Sequence, residues 1–385
     1  MKRLVDVCDF QGGSQPPKKE WISESLDGYV RMLQIRDFTQ SKKIVPEFVK
    51  KNNKLKLCTE EDILIARYGA SLGKILTGLS GAYNVAMMKA IPNKTVLTER
   101  YLYYYLNSPY FQQSILNVGN RAAQAGFNKT DLTKLEINCR TINAQNRIVK
   151  ILDENRQIIH LKKMQITKLD NLIKARFVEM FGDPISNKKS WKKRLLNDLV
   201  DKIGSGATPK GGKESYQDHG ISFIRSMNVH DGYFNYKDLA YINSTQAKQL
   251  SNVIVQSQDV FINITGASVA RSCIVPDDIL PARVNQHVSI IRCKSDVLNP
   301  IFINNLFLND SFKRILLSIG LSGGATRQAI TKKQLEMLKI MLPPLSLQNE
   351  FANFVQQVDK SKVAVQKSLD ETQRLFDSLM QEYFG

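Results

Sequence analysis

Three clusters of polar residues in this sequence have side chains suited to contacts with nucleic acid, and each cluster occurs in both halves of the chain. The first is a Gly-rich loop at residues 12–16 and again at residues 204–209. Backbone amides that lack neighbouring side chains can approach phosphates closely. An ordinary turn at the end of a strand would have the same composition. The candidates in these loops are Gly13, Ser14, Gly206 and Thr208.

The second cluster follows a predicted strand in each half, at residues 34–37 and 224–230. Forked Arg and Asn side chains present donors and acceptors that match base edges in the major groove. An exposed strand end would carry similar residues, so both interpretations are open at this point. The candidates here are Arg36, Arg225, Asn228 and His230.

The third cluster consists of the Gly-Ala-Ser loops at residues 69–71 and 266–268 with their flanks. Its candidates are Arg67, Tyr68, Ser71, Asn84, Gln124, Asn128, Asn263, Thr265, Ser268, Asn285, Gln286, Arg327 and Thr331. His287 precedes an apolar run and is predicted to be a core histidine. The Lys-rich stretch 42–56 fits either phosphate contacts or a solvated loop.

No motif in the sequence predicts catalysis. Residues 69–74 (GASLGK) resemble a phosphate-binding loop but are one residue short of the GxxxxGK[ST] pattern. We find no dinucleotide-binding G-x-G-x-x-G after a strand, and no Asn-Pro-Pro-aromatic tetrapeptide of the kind used in adenine methylation. The five cysteines form no CxxC pair and there are only four histidines, so no metal site is expected. We therefore expect a chain with no catalytic residue, metal or cofactor of its own.

The charge of the chain predicts a polyanionic partner. Its net charge is +18, with 32 basic against 18 acidic residues in positions 1–192 and 22 against 18 in positions 193–385. Such an excess favours nucleic acid over an acidic protein or a membrane surface. No apolar run reaches about 18 residues, and an acidic residue interrupts the N-terminal stretch. With scattered cysteines, this predicts a cytosolic protein.

One segment occurs twice at an offset of 203 residues, since residues 145–182 and 348–385 both begin with Gln-Asn and end with Phe-Gly. Apolar spacings of three and four predict helices at 144–181 and 347–384, with N-caps at Asn143 and Ser346. Such long apolar stripes need partners, and each helix either packs on the other copy or lies on its own domain. The predicted seam residues are Ile148, Leu152, Ile159, Ile166, Leu169, Ile173, Phe351, Val355, Val358, Val365, Leu369, Phe376 and Leu379.

The rest of the sequence predicts two mixed α/β domains, at residues 1–142 and 190–342, which alternate with helical segments at 143–189 and 343–385. Residues 183–193 are a predicted linker, followed by a strand at 194–200. Further predicted strands cover residues 30–35, 63–66, 221–225, 259–264 and 287–292, and predicted helices cover 99–118 and 300–319.

Several of these segments resemble the specificity subunits of type I restriction-modification systems. They are residues 342–348 (LPPLSLQ) with the helix that follows, residues 191–199 leading into 206–209 (GATP), residues 223–229 and residues 284–288. The resemblance covers essentially the whole chain. The first half departs from the pattern, because residues 140–142 (RTI) stand where the double proline would be, and residues 81–88 align only loosely with residues 282–290.

The resemblance implies two target recognition domains, each reading one part of a split, asymmetric DNA sequence. It also implies that the two helices form an antiparallel coiled coil, which gives the internal repeat a pseudo-twofold relation and sets the spacer between the half-sites. Two methyltransferase subunits and two ATP-driven restriction subunits would dock on double-stranded DNA with this chain. Those partners would hold the S-adenosylmethionine, ATP and Mg²⁺ sites, and this chain would be non-catalytic.

Two other functions remain compatible with the sequence. One is a self-sufficient DNA methyltransferase or nuclease, which methylation by the purified chain alone would support. The other is a basic coiled-coil scaffold that does not read DNA, which sequence-selective and salt-sensitive binding would exclude.

Overall fold

The computed structural model describes residues 1–40, 44–119, 126–321 and 328–385. Within these ranges the chain forms two compact units. Unit 1 comprises residues 1–163 and 367–385, and unit 2 comprises residues 164–366. Each unit contains a β-rich domain and part of each of two long helices. The predicted fold class, mixed α/β with two domains and two long helices packed together, is confirmed.

The strands of unit 1 are β1 (Lys2–Arg3), β2 (Cys8–Gly12), β3 (Tyr29–Leu33), β4 (Phe48–Lys50), β5 (Leu57–Cys58), β6 (Ile63–Ala66), β7 (Ile75–Leu76), β8 (Gly81–Tyr83), β9 (Met87–Pro92) and β10 (Glu136–Ile137). Its helices are α1 (Leu4–Val7), α2 (Ile35–Thr39), α3 (Glu99–Leu106), α4 (Pro109–Gly119) and the first part of α5 (Ile142–Phe181). One sheet has the antiparallel order β2-β9-β6-β7, and another has the order β4-β3-β8-β5 with β3 and β8 parallel.

The strands of unit 2 are β11 (Lys193–Leu195), β12 (Val200–Ser205), β13 (Ile221–Ile224), β14 (Val229–His230), β15 (Tyr233–Phe234), β16 (Ala240–Ile242), β17 (Val260–Asn263), β18 (Ser272–Ile274), β19 (Ala282–Val284), β20 (Val288–Cys293) and β21 (Lys339–Met341). Its helices are α6 (Leu196–Leu199), α7 (Ser244–Gln249), α8 (Pro300–Leu308), α9 (Asp310–Leu321), α10 (Lys332–Glu336) and the first part of α11 (Leu345–Phe384). The sheet order β12-β20-β17-β18 matches that of β2-β9-β6-β7.

The two domains therefore share one topology. The parallel pair β13 and β19 corresponds to β3 and β8, and the pair β11 and β21 corresponds to β1 and β10. This match extends through residues 81–88 and 282–290, which align only loosely in sequence. Strand pairing depends on the alternation of buried side chains and not on their identity, so the topology persists where the sequence repeat fades.

Several predicted elements differ from the observed ones. The strand predicted at 194–200 is instead β11 followed by the single turn α6. The helix predicted at 99–118 is broken into α3 and α4, because Pro109 has no N–H and constrains the residue before it. The helix predicted at 300–319 is broken into α8 and α9 at Asn309, whose Oδ1 accepts the backbone N–H of Ser311 at 3.0 Å.

The long helices α5 and α11 keep the offset of 203 residues at both ends. At 40 residues, each is about 60 Å long. Both begin two residues before the predicted start, so Asn143 and Ser346 lie within the first turn and the prediction of N-caps there is wrong. In unit 1 the hydroxyl of Thr141 accepts the N–H of Ala144 at 3.3 Å and caps the helix instead.

Within each unit the two helices run antiparallel. In unit 1, Ile148 and Leu152 join the cluster of Met380 and Phe384. In unit 2, the rings of Phe177 and Phe351 meet edge to face at 5.5 Å. Each predicted seam residue is buried or half-buried.

Polar residues that interrupt the seam find partners on the other helix. Lys162 donates to the hydroxyl of Ser368 in unit 1. In unit 2, Lys362 lies 2.5 Å from Asp170. Such polar pairs within an apolar seam favour one register of the two helices over the alternatives.

The predicted linker folds back on the end of α5. Lys189 donates to the carbonyls of Glu179 and Met180 at 2.6 and 3.0 Å, and the indole N–H of Trp191 donates to the carbonyl of Phe181 at 2.9 Å. These bonds satisfy carbonyl groups that the helix end leaves free, and the lysine charge opposes the helix dipole. The segment is therefore a helix cap and not a free tether.

Candidate nucleic-acid interface

Several strand boundaries meet at one edge of unit 2. Asn263, the last residue of β17, pairs with Val288, the first residue of β20. The N–H of Gly206, directly after β12, donates to the carbonyl of Asn285, directly after β19, at 3.1 Å. The segments at this point, residues 206–209, 225–230, 264–268 and 285–287, form what we call the strand-end edge of unit 2.

Unit 1 has the equivalent edge. Ala66, at the end of β6, pairs with Met87 at the start of β9, and the N–H of Ser14 donates to the carbonyl of Tyr83, which ends β8, at 3.0 Å. Its strand-end edge comprises residues 13–16, 34–37, 67–71 and 84–86. The Gly-rich loops, the strand ends and the Gly-Ala-Ser turns of the three polar clusters therefore converge on one edge in each unit.

The glycines of the first cluster are required for close packing. A Cβ atom at Gly13 would lie 2.1 Å from the carbonyl oxygen of Asn84, and one at Gly206 would lie 1.8 Å from that of Val284. The N–H of Gly13 donates to the carbonyl of Met87 at 3.1 Å. Because the N–H groups of both glycines already donate within the protein, neither is available to a phosphate as placed, contrary to the expectation for these loops.

Four side chains from three loops form a hydrogen-bonded row on the edge of unit 2. The Thr208 hydroxyl donates to Gln286 Oε1 at 2.6 Å, Gln286 Nε2 lies 3.1 Å from His287 Nε2, and His287 Nδ1 lies 2.5 Å from Thr265 Oγ1. With this orientation of the Gln286 amide, the amide nitrogen donates to His287 Nε2, and His287 Nδ1–H donates to Thr265 Oγ1. The hydroxyl proton of Thr265 is then free for another acceptor.

The position of His287 differs from the prediction of a core histidine. Its side chain is half-buried and forms part of this row, while Thr208 and Gln286 are exposed. The apolar run that suggested a buried histidine is β20, which begins one residue later.

Two predicted readers are fully buried. Asn228 accepts the backbone N–H of Arg225 at 3.1 Å and donates to the carbonyl of Asn235 at 2.9 Å. Asn263 donates to the carbonyl of Ser226 at 2.9 Å, and its Oδ1 has no partner among the residues that the structure describes. As placed, neither side chain can contact DNA, so these two assignments are corrected to loop-holding roles.

The side chains of Asn285 and Asn84 also accept hydrogen bonds from the backbone of their own loops. Asn285 is largely buried, and its Oδ1 accepts the N–H of His287 at 2.9 Å. Asn84 makes the equivalent bond to the N–H of Ala86 at 3.2 Å. Each bond closes an Asx turn, in which an Asn side chain accepts a hydrogen bond from the backbone N–H two residues later.

The residue equivalent to Asn228 in unit 1 is Asp37. It is buried, and its Oδ2 accepts the N–H of Gln34 at 2.8 Å, as Asn228 does for Arg225. Its other oxygen accepts from Arg31 at 2.7 Å, which compensates the buried charge. The same loop is therefore stabilised by a neutral amide in one unit and by an ion pair in the other.

The edge of unit 2 continues into a β-hairpin formed by β14 and β15. His230 stacks on Tyr233 with ring centroids 4.9 Å apart, and the tyrosine is 58% exposed. His230 was a predicted site residue and Tyr233 was not, although the Asp231-Gly232 pair between them is typical of a hairpin turn. Arg225, next to the hairpin, stacks over Tyr216 at 5.5 Å and donates to the carbonyl of Asp238.

In unit 1, Arg67 and Tyr68 lie side by side on the edge. The guanidinium of Arg67 donates to the carbonyl of Phe127 at 3.2 Å and lies 5.0 Å from the Tyr68 ring, which is 41% exposed. The Ser14 hydroxyl accepts the N–H of Lys56 at 3.0 Å. That bond brings the exposed lysines of the β4–β5 connection next to the edge.

The remaining candidates are helix caps, loop residues or undescribed. Asn128 caps the short 3-10 helix that follows it, and Thr331 caps α10. Ser71 and Ser268 occupy equivalent places in the Gly-Ala-Ser turns and are half-buried. Gln124 and Arg327 lie outside the described residues. Arg36 is half exposed and pairs with Glu47.

The charge excess is distributed evenly between the domains. Residues 1–141 and residues 182–344 each hold 21 basic and 13 acidic residues, while the helical segments 142–181 and 345–385 carry net charges of +4 and −2. Most of the charge difference between the halves of the chain therefore lies in the helices. Each domain is basic enough to attract a polyanion.

Of the residues described, none form a group of three or more His, Cys, Asp or Glu side chains that could hold a metal ion. Over the same part of the chain, no helix is long and apolar enough to cross a membrane.

Two solved structures share this fold. A chain from a study of complex assembly and conformational transition of the type I restriction-modification system superposes with a TM-score of 0.61 at 18% identity, covering 99% of this chain and 96% of that one. The S subunit of a type I system from M. genitalium gives a TM-score of 0.58 at 14% identity, covering 100% and 95%.

Relatives agree in sequence over nearly their full length. The specificity subunit of the type I restriction enzyme MjaVIII from Methanocaldococcus jannaschii is 22% identical over 394 residues, covering 98% of this chain and 90% of that protein. The MjaIX specificity subunit of the same organism is 23% identical over 412 residues, covering 99% and 91%. The model of the type I restriction modification DNA specificity domain matches residues 1–171 and 188–372. This chain therefore belongs to the family of type I restriction-modification DNA specificity subunits.

Proposed function

We propose that the two strand-end edges are the surfaces with which this specificity subunit reads its DNA target, one half-site on each unit. The subunit itself is a non-catalytic part of a type I restriction-modification complex that recognises the target sequence. The observation that carries the proposal is the convergence of exposed polar side chains from separate loops on one edge of each unit. The same backbone frame holds different side chains in the two units, which suits an asymmetric, bipartite target.

On unit 2 the row from Thr208 to Thr265 has the chemistry of a base-reading surface. An amide and hydroxyls offer both donors and acceptors, and the bonds within the row hold them in fixed orientations. The exposed Tyr233 ring adds an apolar surface for a base or a thymine methyl group. On unit 1 the exposed Lys50, Lys51 and Lys54 have no ion pair among the described residues and suit phosphate contacts.

The complex is proposed to contain two methyltransferase and two restriction subunits, which hold the S-adenosylmethionine, ATP and Mg²⁺ sites, in the bacterial or archaeal cytoplasm. Apolar side chains left exposed on the helices support docking of a partner there. On unit 1 these include Ile158 and Leu161 of α5, and on unit 2 Leu172 and Val178 of α5 and Val363 of α11. Exposed apolar side chains that neighbour one another on a helix, as Ile158 and Leu161 do three residues apart, commonly mark a protein interface.

The test is a binding selection from a random DNA library, with the purified chain alone and with its methyltransferase subunits. The wild-type protein is expected to enrich a split motif. Gln286→Ala should relax recognition in one half-site and leave the other intact, because Gln286 belongs to unit 2 only. The exposed Gln357→Ala on α11 is the control.

A motif that Gln286→Ala leaves unchanged, or one that changes in both halves, would count against the assignment of the edge. Enrichment without any motif would favour the basic scaffold. Methyl transfer by the chain in the absence of partners would favour a self-sufficient enzyme.

A further inference from the structure

A single carboxylate on unit 1 gathers three side chains from other parts of the domain. Glu47 accepts hydrogen bonds from Lys18, from Gln34 Nε2 at 2.9 Å and from Arg36 Nη2 at 2.6 Å. Lys18 also lies over the ring of Trp21, 4.0 Å from its centroid. Lys, Gln and Arg are the side chains with which proteins most often contact guanine and adenine edges and phosphates.

This cluster lies at the strand-end edge. The carbonyl of Glu47 accepts the N–H of Met32 at 2.7 Å, which places Glu47 beside the end of β3. Gln34 and Arg36 follow that strand directly. The cluster therefore occupies the surface on which unit 1 is proposed to read DNA.

Unit 2 lacks the acidic residue at this place. Met32 corresponds to Phe223, since each precedes the last residue of β3 or β13 and pairs in parallel with the middle residue of β8 or β19. The partner of Phe223 on the neighbouring strand is Ala240, where unit 1 has Glu47. The strand-end edges of the two units therefore differ in this cluster around Glu47.

The exposures suggest an organising role for Glu47. Its side chain is only 22% exposed, whereas Arg36 is 48% and Lys18 is 64% exposed. A guanidinium has five N–H donors in a planar fork, and within the described residues Glu47 is the one hydrogen-bond partner of the Arg36 side chain. The outward donors of Arg36 are therefore held in a fixed plane, which lowers the entropy lost when they meet a base.

The surroundings of the Glu47 carboxylate favour its charged form. Partial burial by itself would raise the pKa of Glu47. The hydrogen bond and charge of Lys18, the charge of Arg36 and the hydrogen bond of Gln34 outweigh burial and lower that pKa.

We propose that Glu47 is a positioning residue that determines specificity in unit 1. It holds Arg36 and Gln34 so that they meet a purine edge in one half-site, while Lys18 faces the neighbouring phosphate. The inference rests on the proposed function and adds to it the residue that orients the reading side chains.

The test compares Glu47→Gln with Glu99→Gln in the binding selection described above, using the full chain with and without its methyltransferase subunits. Glu99 is a matched control because it pairs with Lys94 at 2.9 Å outside the edge. Glu47→Gln is expected to lower discrimination on the order of tenfold at one or two base pairs of a single half-site. Glu99→Gln should bind as the wild type does.

A second pair of variants separates positioning from mere stability. Arg36→Ala changes an exposed side chain and should relax the same base pairs. The double variant Glu47→Gln, Arg36→Ala should then lose less discrimination than the sum of the two single variants, because Glu47 acts partly through Arg36. Additive losses, or loss in both half-sites, would overturn the inference.

The two proposals can fail separately. If the wild type enriches no motif, the proposed function fails. If the wild type enriches a split motif that Glu47→Gln and Arg36→Ala both leave unchanged, only the role of Glu47 fails. A uniform drop in affinity without a change of motif would also overturn it, because that result would make Glu47 a structural residue.

Discussion

Gln348 Oε1 accepts the backbone N–H of Asn299 at 2.9 Å, while its Nε2 donates to the carbonyls of Val297 and Pro343 at 3.2 and 2.9 Å. Gln348 is fully buried in the first turn of α11. Asn299 is the N-cap of α8, so this one side chain fastens the long helix to the domain of unit 2.

Gln145 makes the same three bonds in unit 1. Its Oε1 accepts the N–H of Thr98 at 2.9 Å, and its Nε2 donates to the carbonyls of Val96 and Arg140 at 2.7 and 2.8 Å. The glutamine that opens the sequence repeat is therefore a buried anchor in both copies. The backbone carbonyl of residue 140 serves as well as that of Pro343, so the missing double proline in the first half does not alter the anchor.

Removal of this anchor should destabilise the helix attachment. Gln348→Leu leaves one N–H and two carbonyl groups buried without partners, and we expect a loss of about 2–4 kcal/mol in the free energy of unfolding. Urea unfolding followed by circular dichroism measures it. Gln357→Leu, on the exposed face of α11, should lose less than about 0.5 kcal/mol. Equal losses for the two variants would contradict the anchor.

Two glycines at the start of the first cluster in unit 2, Gly204 near the end of β12 and Gly206 directly after it, give a matched test. Gly206→Ala places a methyl group against the carbonyl of Val284 and should cost about 2 kcal/mol or more. At Gly204, two residues earlier, a Cβ atom would meet only side-chain atoms at 3.9 and 4.0 Å, so Gly204→Ala should be tolerated. Thermal unfolding of both variants decides the point, and a tolerated Gly206→Ala would refute the close approach.

The ion pair between Lys89 and Asp62 predicts a pH dependence of unit 1. The two charged groups are 2.8 Å apart and mostly buried. Burial alone would raise the pKa of Asp62, but the hydrogen bond and charge of Lys89 and the N–H of Thr59 lower it. The resulting stability is present above the ordinary pKa of 3.8 and is lost as the pH falls through the lowered value.

Asp62→Asn should therefore reduce the free energy of unfolding by about 1–2 kcal/mol at pH 7 and have a smaller effect near pH 3, which lies below the ordinary pKa of 3.8. Urea titrations at both pH values measure the difference. Asp27→Asn, which changes an exposed turn residue, serves as the control. A loss that is the same at pH 7 and at pH 3 would show that the ion pair is not its cause.

Lys362 should stabilise the helix pair of unit 2 most at neutral pH. Burial raises the pKa of Asp359, Lys362 lowers it, and Asp170 raises it. A group whose pKa is higher in the folded state than in the unfolded state favours folding below its unfolded-state pKa. That contribution to stability is lost as the pH rises through the folded-state pKa.

Lys362→Met raises the pKa of Asp359 further, so the variant should be less stable by up to about 1 kcal/mol at pH 7 and closer to the wild type near pH 4. Stability curves at the two pH values test this. Lys360→Met removes an exposed charge from the same helix and should show no such dependence. A deficit that grows as the pH falls would contradict the assignment.

Exchange of one domain tests the division of the target. Replacement of residues 190–342 by the corresponding domain of another specificity subunit should change one half-site and preserve the other. A matched insertion of two helical turns in α5 and α11 should lengthen the spacer without altering either half-site. Mapping of methylated adenines in cells reads out both experiments, and a change in both half-sites after domain exchange would contradict modular reading.

The sequence by itself determined the features that repeat with a short period or at a fixed offset. Apolar residues at spacings of three and four specified α5 and α11, and their offset of 203 residues showed that the chain contains two copies of one unit. The polar clusters were found in both halves because turns and strand ends require Gly, Asn and Ser at particular places. Helix breaks at Pro109 and Asn309 were missed because apolar periodicity continued across them.

Only the tertiary structure decided which polar residues face solvent. In the sequence, Asn228, Asn263 and Gln286 are all amide side chains within the predicted polar clusters. In the structure, Asn228 and Asn263 are buried and bond backbone groups of a loop, whereas Gln286 is exposed. No local pattern in the sequence indicated a role for Glu47, because its three partners lie 11 to 29 residues away along the chain. Burial and long-range hydrogen bonds depend on which strands become neighbours, and a local pattern of residues does not contain that information.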